Sequence, residues 1–551
     1  MEQGSTVAHD APMRAKRNLI AAVVFLLAGA WIAPVPIPSA SASDATATTA
    51  VIVQGTTEAA AHAAVAAHHG TVTQDLWIVN GVAADVPAGE VPALEAEPGI
   101  LHVTTDVAVH VQDANPSPLH AATAVYPKVV GADRLWPEGI DGDGVTVAVL
   151  DTGIANVADL SGRVVGGVDF SGGNNPYNDE FGHGTFVAGL IAGNGASSGG
   201  QYKGIAPKAK LVSVKIAGAD GSSDVSHVLA GMQWIVSYRD TYGIRVANLS
   251  LGTDSTQTYH LSPLNAAVER AWDAGIVIDV SSSNNGPGPG TVSKPADDPL
   301  VVTVGALDDK GTPGRGDDVM AGFSGEGPTI ADGLTKPDLV APGRSVISLR
   351  APGSAIDAAY PGSRVGSAYF KGSGTSFSTG VTSGVAALLL DREPGLTPDQ
   401  VKARLLNTAG VGPVGNPNVD GHGSLDAYAA AHAGTFDSAN VGVARSLGTG
   451  SIDLDRGSLH VQIQTGSLLN TLLGLLLPVY QLLYGNNLTA QNQVFDSVEY
   501  MTTNWSGTRW YDTQWGGTRW YGTRWYGTRW YGTRWYTSEW YGTRWYGIAW
   551  E

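Results

Sequence analysis

Cysteine is missing from all 551 residues. That absence removes thiol catalysis, a disulfide framework and zinc–thiolate centres from consideration. Positive charge is also short: 32 Lys and Arg stand against 50 Asp and Glu, a net of −18, which argues against nucleic acid as a partner and for solubility outside the cell. Long apolar runs are few. Leu19 to Ala33 stops at Pro34, Pro36 and Pro38, and the 17 residues from Leu468 to Tyr484 are interrupted by Asn470, Pro478 and Gln481, so neither reads as a membrane span. What remains is 43 % hydrophobic content, enough to fill a large core in a chain long enough for two or more domains.

Three short blocks carry reactive side chains: Val-Ala-Val-Leu-Asp-Thr-Gly at 147 to 153, Gly-His-Gly-Thr at 182 to 185, and Gly-Ser-Gly-Thr-Ser at 372 to 376. A serine hydroxyl is a weak nucleophile near neutral pH. It needs an imidazole to take its proton and a carboxylate to fix that imidazole's tautomer, roles that Asp151, His183 and Ser376 can fill. Gly144 to Leu150 is a nearly continuous apolar, β-branched run, which predicts a buried parallel strand with Asp151 at its carboxyl end. The segments 185–193 and 382–392 read as buried helices, placing His183 and Ser376 near helix amino ends. Any one block alone is more often structural than catalytic. Their order, at separations of 32 and 193 residues, makes the conjunction specific.

From about Ala132 to the early 430s the chain resembles the subtilisin-like serine proteases. The resemblance implies a doubly wound α/β fold, a mainly parallel sheet with helices on both faces, and peptide-bond hydrolysis needing no cofactor. It implies an oxyanion donor at Asn284, within Ser281-Ser-Ser-Asn-Asn-Gly286, where Ser283 replaces the family's usual glycine and leaves open which of Asn284 and Asn285 points inward. Ser250, Leu251 and Gly252 should line the first subsites by pairing with an extended peptide, and Ser281, Ser282 and Ser283 should form the wall of the side-chain pocket. After the nucleophile, Phe377 to Gly380 stands where the family has Met-Ala-x-Pro, so Gly380 is expected to loosen a helix start. Relatives often bind calcium, and the Asn- and Asp-rich loop Asn174 to Glu180 could hold a structural ion, although such loops are commonly polar turns. No catalytic metal is expected.

The flanks divide further. Arg14, Lys16 and Arg17, the apolar stretch and Ala40-Ser-Ala42 form an export signal over 1–42, so the mature chain is expected outside the cell. Residues 43–111 resemble the inhibitor-type propeptide of the same family, a small α+β unit acting as folding aid and built-in inhibitor. A linker at 112–131 should contain the maturation cut, between Gln112 and Ala124. The catalytic domain spans 132–433, an extension 434–500, and a repeat tail 501–551.

That tail places tryptophan every five residues from Trp505 to Trp550, mostly within Gly-Thr-Arg-Trp-Tyr. A period of five fits neither strand nor helix, so an irregular stack of short extended pieces and turns is expected. Its six arginines against Asp512, Glu539 and Glu551 give +3, leaving −21 on residues 1–500. Aromatic rows with arginine suit glycans or wall polymers. Two functions therefore stand: a secreted, self-cleaving serine endopeptidase acting on protein or peptide substrates, and a surface-binding or adhesion protein whose proteolysis serves only its own maturation.

Overall fold

Along Thr48–Gly55 (β1), Val51 and Val53 alternate with Ile52, so a strand of this sequence can bury both of its faces only between two layers. The computed structural model describes residues 48–106, 108–110, 124–434, 436, 438–457 and 549–550. After β1 come helix α1 (Glu58–Ala67), strands β2 (Thr71–Leu76) and β3 (Gly81–Pro87), helix α2 (Val91–Glu95) and strand β4 (Ile100–Thr105), and the four strands form an antiparallel sheet ordered β2-β3-β1-β4. Thr57 caps α1 by accepting the Ala60 N–H at 3.2 Å. Val51, Val53, Val82, Ala84 and Val86 meet Ala61, Ala64 and Val65 of α1 in one cluster. Ile52, Leu76, Ile78, Val79 and Ala83 instead join the large core of the residues that follow.

That larger part is built on a parallel sheet. Its strands are β6 (Thr146–Asp151), β7 (Val164–Asp169), β8 (Lys210–Lys215), β10 (Ile244–Leu249), β11 (Val277–Ser281), β12 (Val302–Asp308) and β14 (Leu339–Pro342), with the short β13 (Val319–Met320) antiparallel on β12. The order runs β7-β8-β6-β10-β11-β12, so β6 lies between β8 and β10, and the chain departs from it in one direction and later returns on the other side. The crevice at the carboxyl end of such a strand is where open α/β sheets gather their sites. β6 is buried along its whole length, as its unbroken apolar sequence predicts.

Helices cover both faces. A Cβ on Gly184, in helix α3 (His183–Ala192), would sit 3.1 Å from the Asp151 Cβ, whereas one on Gly231, in helix α4 (Val225–Ser237), would sit 3.3 Å from the Leu150 Cδ2. Asp151 and Leu150 are neighbours on one strand and point to opposite faces, so α3 and α4 lie on opposite sides. Helix α5 (Pro263–Asp273) packs with α4, and helix α6 (Thr375–Arg392), buried from Thr375 to Leu390, crosses β10, β11 and β12 and packs on α3. An all-round buried helix needs no amphipathic pattern, which is what the sequence of α6 shows.

Two short strands flank this sheet. Ala108–His110 (β5) pairs antiparallel with Ser222–Asp224 (β9), and Ala549–Trp550 (β18) pairs antiparallel with Gly372 and Ser373 of β17 (Tyr369–Ser373), which also meets β15 (Val346–Leu349) and β16 (Arg364–Val365). The export segment, the cut region before Ala124, the apolar run 468–484 and the tail before Ala549 lie outside the described residues. Among the described residues, no helix is long and apolar enough to cross a membrane.

Candidate active site

Asp151 ends β6 with its side chain fully buried, and its Oδ1 accepts two hydrogen bonds, from His183 Nδ1 at 2.7 Å and from the Thr152 N–H at 2.8 Å. The first bond assigns the proton of the imidazole to Nδ1 and leaves Nε2 as its basic nitrogen. His183 opens α3. The helix can start there because Gly182 adopts φ +106° and because Asp179, five residues past the start of the loop Asn174 to Glu180, caps it. The Asp179 carboxylate accepts from Gly182 N (2.7 Å), Thr185 N (2.8 Å), Thr185 Oγ1 (2.6 Å) and Thr152 Oγ1 (2.7 Å), and thereby ties the His helix to the residue after Asp151. Burial raises its pKa, with these hydrogen bonds pulling the other way. Gly184 is required by close approach: a Cβ there would come within 2.2 Å of the Gly153 carbonyl.

Ser376 is the second residue of α6, at the amino end of an 18-residue helix whose dipole favours negative charge. Phe377 stacks on the His183 ring at 5.7 Å between centroids and meets Phe186 at 4.3 Å, which seats the start of α6 against the imidazole. Asp151 and His183 are hydrogen-bonded, Ser376 is the chain neighbour of the Phe377 that stacks on His183, and all three are fully buried. The Ser250 hydroxyl lies 3.2 Å from the Ser376 carbonyl oxygen and 3.0 Å from Asn248 Oδ1; Asn248 Nδ2 donates to Ser383 Oγ at 3.3 Å, and Ser383 donates to Asp279 at 2.7 Å. A polar chain runs from a buried carboxyl in β11 to the backbone of Ser376.

Asn284 is held rigidly. Its Oδ1 accepts from Thr375 N at 2.8 Å and Thr375 Oγ1 at 2.9 Å, while its Nδ2 is buried with no partner among the described residues. A buried amide donor without an acceptor costs free energy unless something arrives to accept it. Asn285 is only half-buried and lines a cavity of about 230 Å³ with Asp254, Thr291, Ser293, Asp297 and Ile330.

Ser281, Ser282 and Ser283 are completely buried and none of them lines that cavity. The Ser282 N–H donates to the Val304 carbonyl, the Ser293 N–H donates to the Ser282 carbonyl, and the Ser283 hydroxyl donates to the Thr291 carbonyl, so these serines tie β11 to its neighbours. Ser283 also adopts φ +122°, a backbone shape that suits the glycine it replaces. Ser250 and Leu251 are buried and Gly252 half-buried, and the segment continues into Thr253, whose N–H and C=O both bond Lys294. β5, the described end of the amino-terminal unit, pairs with β9, whose Ser-Ser-Asp sequence gives no strand pattern to read.

The loop Asn174 to Glu180 does not fit calcium. Lys215 Nζ donates to Glu180 Oε2 at 2.8 Å and to the Asn178 carbonyl at 2.7 Å, so an ammonium already occupies the oxygens a cation would need.

A family model described as the subtilase family, Peptidase_S8, matches residues 142–450. Serine protease AprX of Bacillus subtilis (strain 168) is 44 % identical over 293 residues, which are 52 % of this chain and 66 % of that protein, just under two thirds of its length. Subtilisin Savinase of Lederbergia lenta is 37 % identical over 301 residues, covering 55 % of this chain and 96 % of its own. M-protease of Shouchella clausii (strain KSM-K16) is 36 % identical over 341 residues, 62 % of this chain and 76 % of the other. Among solved structures, fervidolysin from Fervidobacterium pennivorans, a keratinolytic enzyme related to subtilisin, aligns with TM-score 0.56 at 24 % identity, over 71 % of this chain and 62 % of that one. At that identity the likeness bears on the fold alone.

Proposed function

This chain belongs to the subtilase family, and from that premise we propose that it is a serine endopeptidase, exported as a zymogen that cuts itself free of its amino-terminal unit. Ser376 Oγ attacks the peptide carbonyl as His183 Nε2 takes its proton. The same nitrogen returns the proton to the leaving amine, and water repeats the sequence to release the acid. Asp151 holds His183 in the tautomer this requires and stabilises the imidazolium. Asn284 Nδ2 donates to the oxyanion, and its fixed position means little reorganisation as charge develops. The reaction uses side chains and backbone donors, with no cofactor.

The observation that carries this reading is the pairing of two rigid features: a buried Asp151–His183 hydrogen bond and a buried, acceptor-less Asn284 amide, both packed around the start of α6. The zymogen reading is supported by β5 on β9, an extended segment of the chain lying strand-to-strand on the enzyme, as a peptide substrate would by strand addition. Export is supported by the charged, apolar and small-residue order of residues 14–42.

The test is amino-terminal sequencing of the product from an exporting host, beside a Ser376→Ala control. Wild type should begin within 112–125 and be labelled by a serine-reactive phosphonate. Ser376→Ala should stay full-length after signal removal and take no label. Labelling that survives in Ser376→Ala, or a mature form unable to hydrolyse unfolded protein, overturns the proposal.

A further inference from the structure

The residues just beyond the last helices of the catalytic part touch both halves of the molecule. One side of 446–456 is fixed to the enzyme. The carboxylate of Asp455, in the short helix α7 (Ile452–Asp455), accepts from Gln257 Nε2 at 2.6 Å, Ser262 Oγ at 2.7 Å and Leu264 N at 3.0 Å, and the Ser446 N–H donates to both oxygens of Glu269 at 3.0 and 2.8 Å. Ile452 is buried in the main core.

The other side meets the amino-terminal sheet. Gln54 Nε2 in β1 donates to the Gly448 carbonyl at 3.3 Å, His102 Nε2 in β4 bonds the Thr449 carbonyl at 3.0 Å, and Arg456 Nη1 donates to the Thr105 carbonyl at 2.9 Å. Arg456 is 1 % exposed and is oriented by Asp453 at 2.9 Å, so its guanidinium is committed to this joint. β4 is the edge strand of its sheet, and an edge presents unpaired backbone groups that need covering. The segment supplies that cover.

We propose that residues 446–456 form a clamp that retains the amino-terminal unit on the enzyme after the joining chain is cut, and so sets how fast activity appears. This rests on the zymogen reading above. The logic is one of connectivity. Once the bond within 112–124 is broken, the unit is held only by non-covalent contacts, among them its apolar face, β5 on β9, hydrogen bonds of Asp75, Ile78 and Asp106 with Gln233 and Ser226 of α4, and these three hydrogen bonds to a segment that stays anchored through Asp455 and Glu269. The clamp is the part of that set that comes from outside the catalytic sheet and its helices. Its loss should speed release while leaving the triad and its neighbours untouched.

The experiment uses the full chain. Arg456→Ala is compared with Arg456→Lys, and with Gln54→Ala and His102→Ala, which alter only the amino-terminal side and leave the mature enzyme's sequence intact. Cutting is followed on gels, retention by co-elution of the amino-terminal fragment, and activity with a peptide substrate. At about 1 kcal/mol for a hydrogen bond, and more for a charged one, each alanine variant should shorten the interval between cutting and activity about fivefold, with Arg456→Ala the most affected and less fragment co-eluting. Hydrogen exchange across Ile100–Thr105 is measured in parallel on uncut Ser376→Ala chains and should rise by a similar factor when Arg456→Ala is added. Unchanged exchange together with an unchanged interval overturns the clamp. A wild-type chain that is never cut, or a Ser376→Ala chain that is, overturns the zymogen reading instead, and the exchange measurement still decides the clamp on the intact chain.

Discussion

Asp279 offers a sharp test of the physics beneath the site. It lies in β11, fully buried, with Ser383 Oγ donating to Oδ2 at 2.7 Å and Oδ1 without a partner among the described residues. Burial pushes its carboxyl from the ordinary 3.8 up to about 7, with the Ser383 hydrogen bond opposing. Between those two values the folded chain holds a proton that the unfolded chain has lost, so stability falls as pH rises through this window and is flat above it. At about 1.4 kcal/mol per pH unit, the whole window is worth roughly 4 kcal/mol. Asp279→Asn keeps an acceptor for Ser383 and removes the titration. The new amide brings a fixed cost of about 1–3 kcal/mol for a buried donor, so absolute stability does not discriminate; the pH slope does. Denaturant unfolding of Ser376→Ala, with and without Asp279→Asn, at pH 4, 6 and 8 is the assay. The parent should lose roughly 4 kcal/mol more than the variant between pH 4 and 8. Parallel pH profiles would refute the reasoning.

Three further outcomes are expected. Asn284→Ala should lower kcat about 10²–10³-fold with KM little changed, because the amide is asked to act on the oxyanion and not on bound substrate; an effect confined to KM in steady-state kinetics would contradict that role. Gly184→Ala should cost about a hundredfold in activity, since a Cβ 2.2 Å from the Gly153 carbonyl must displace either α3 with His183 or the loop after Asp151; retention of full turnover would show that the approach is not tight. Gly380→Ala should instead stabilise by about 0.5–1 kcal/mol in thermal unfolding of the Ser376→Ala chain, because the added methyl meets Leu190 and Val187 at an ordinary 3.5 Å inside a helix; destabilisation would show that α3 and α6 need the glycine.

The last of these also shows where sequence reading stops. The fold class and the placing of Asp151 were legible because β6 is an unbroken apolar strand with a carboxylate at its end, a one-dimensional pattern with a direct three-dimensional meaning. A glycine at 380 in place of the family's proline predicts a loosened helix start, yet α6 begins at Thr375 and carries Gly380 in its interior, facing α3. Asp179 lies in the loop whose composition suggests calcium; it caps the His183 helix and also accepts from Thr152, 27 residues earlier, a contact no local pattern reveals. Nor does the run Ser281–Ser283 reveal its own hydrogen-bond partners, which are Val304, Thr291 and Ser293 from separate segments. Phe377 was noted only as a departure from the family, and its stacking on His183 appears only once α3 and α6 are packed.

The amino-terminal sheet makes a related point about energetics. Its residues 48–110 make a unit near the size at which one hydrophobic core barely sustains a fold. Only one face of that sheet is closed by its own helices, through Val51, Val53, Val82 and Val86. The other face carries Ile52, Leu76, Ile78 and Ala83 into the core of the following chain. At about 25 cal/mol per Å², exposing even four such side chains costs several kcal/mol. A unit so built has its lowest free energy while docked, and the enzyme it covers shares that gain. Cutting the backbone does not remove it. On the zymogen reading proposed above, release follows a later loss of the unit itself, for instance by its digestion, and contacts such as Arg456 to Thr105 act on how long that takes rather than on whether the bond is cut.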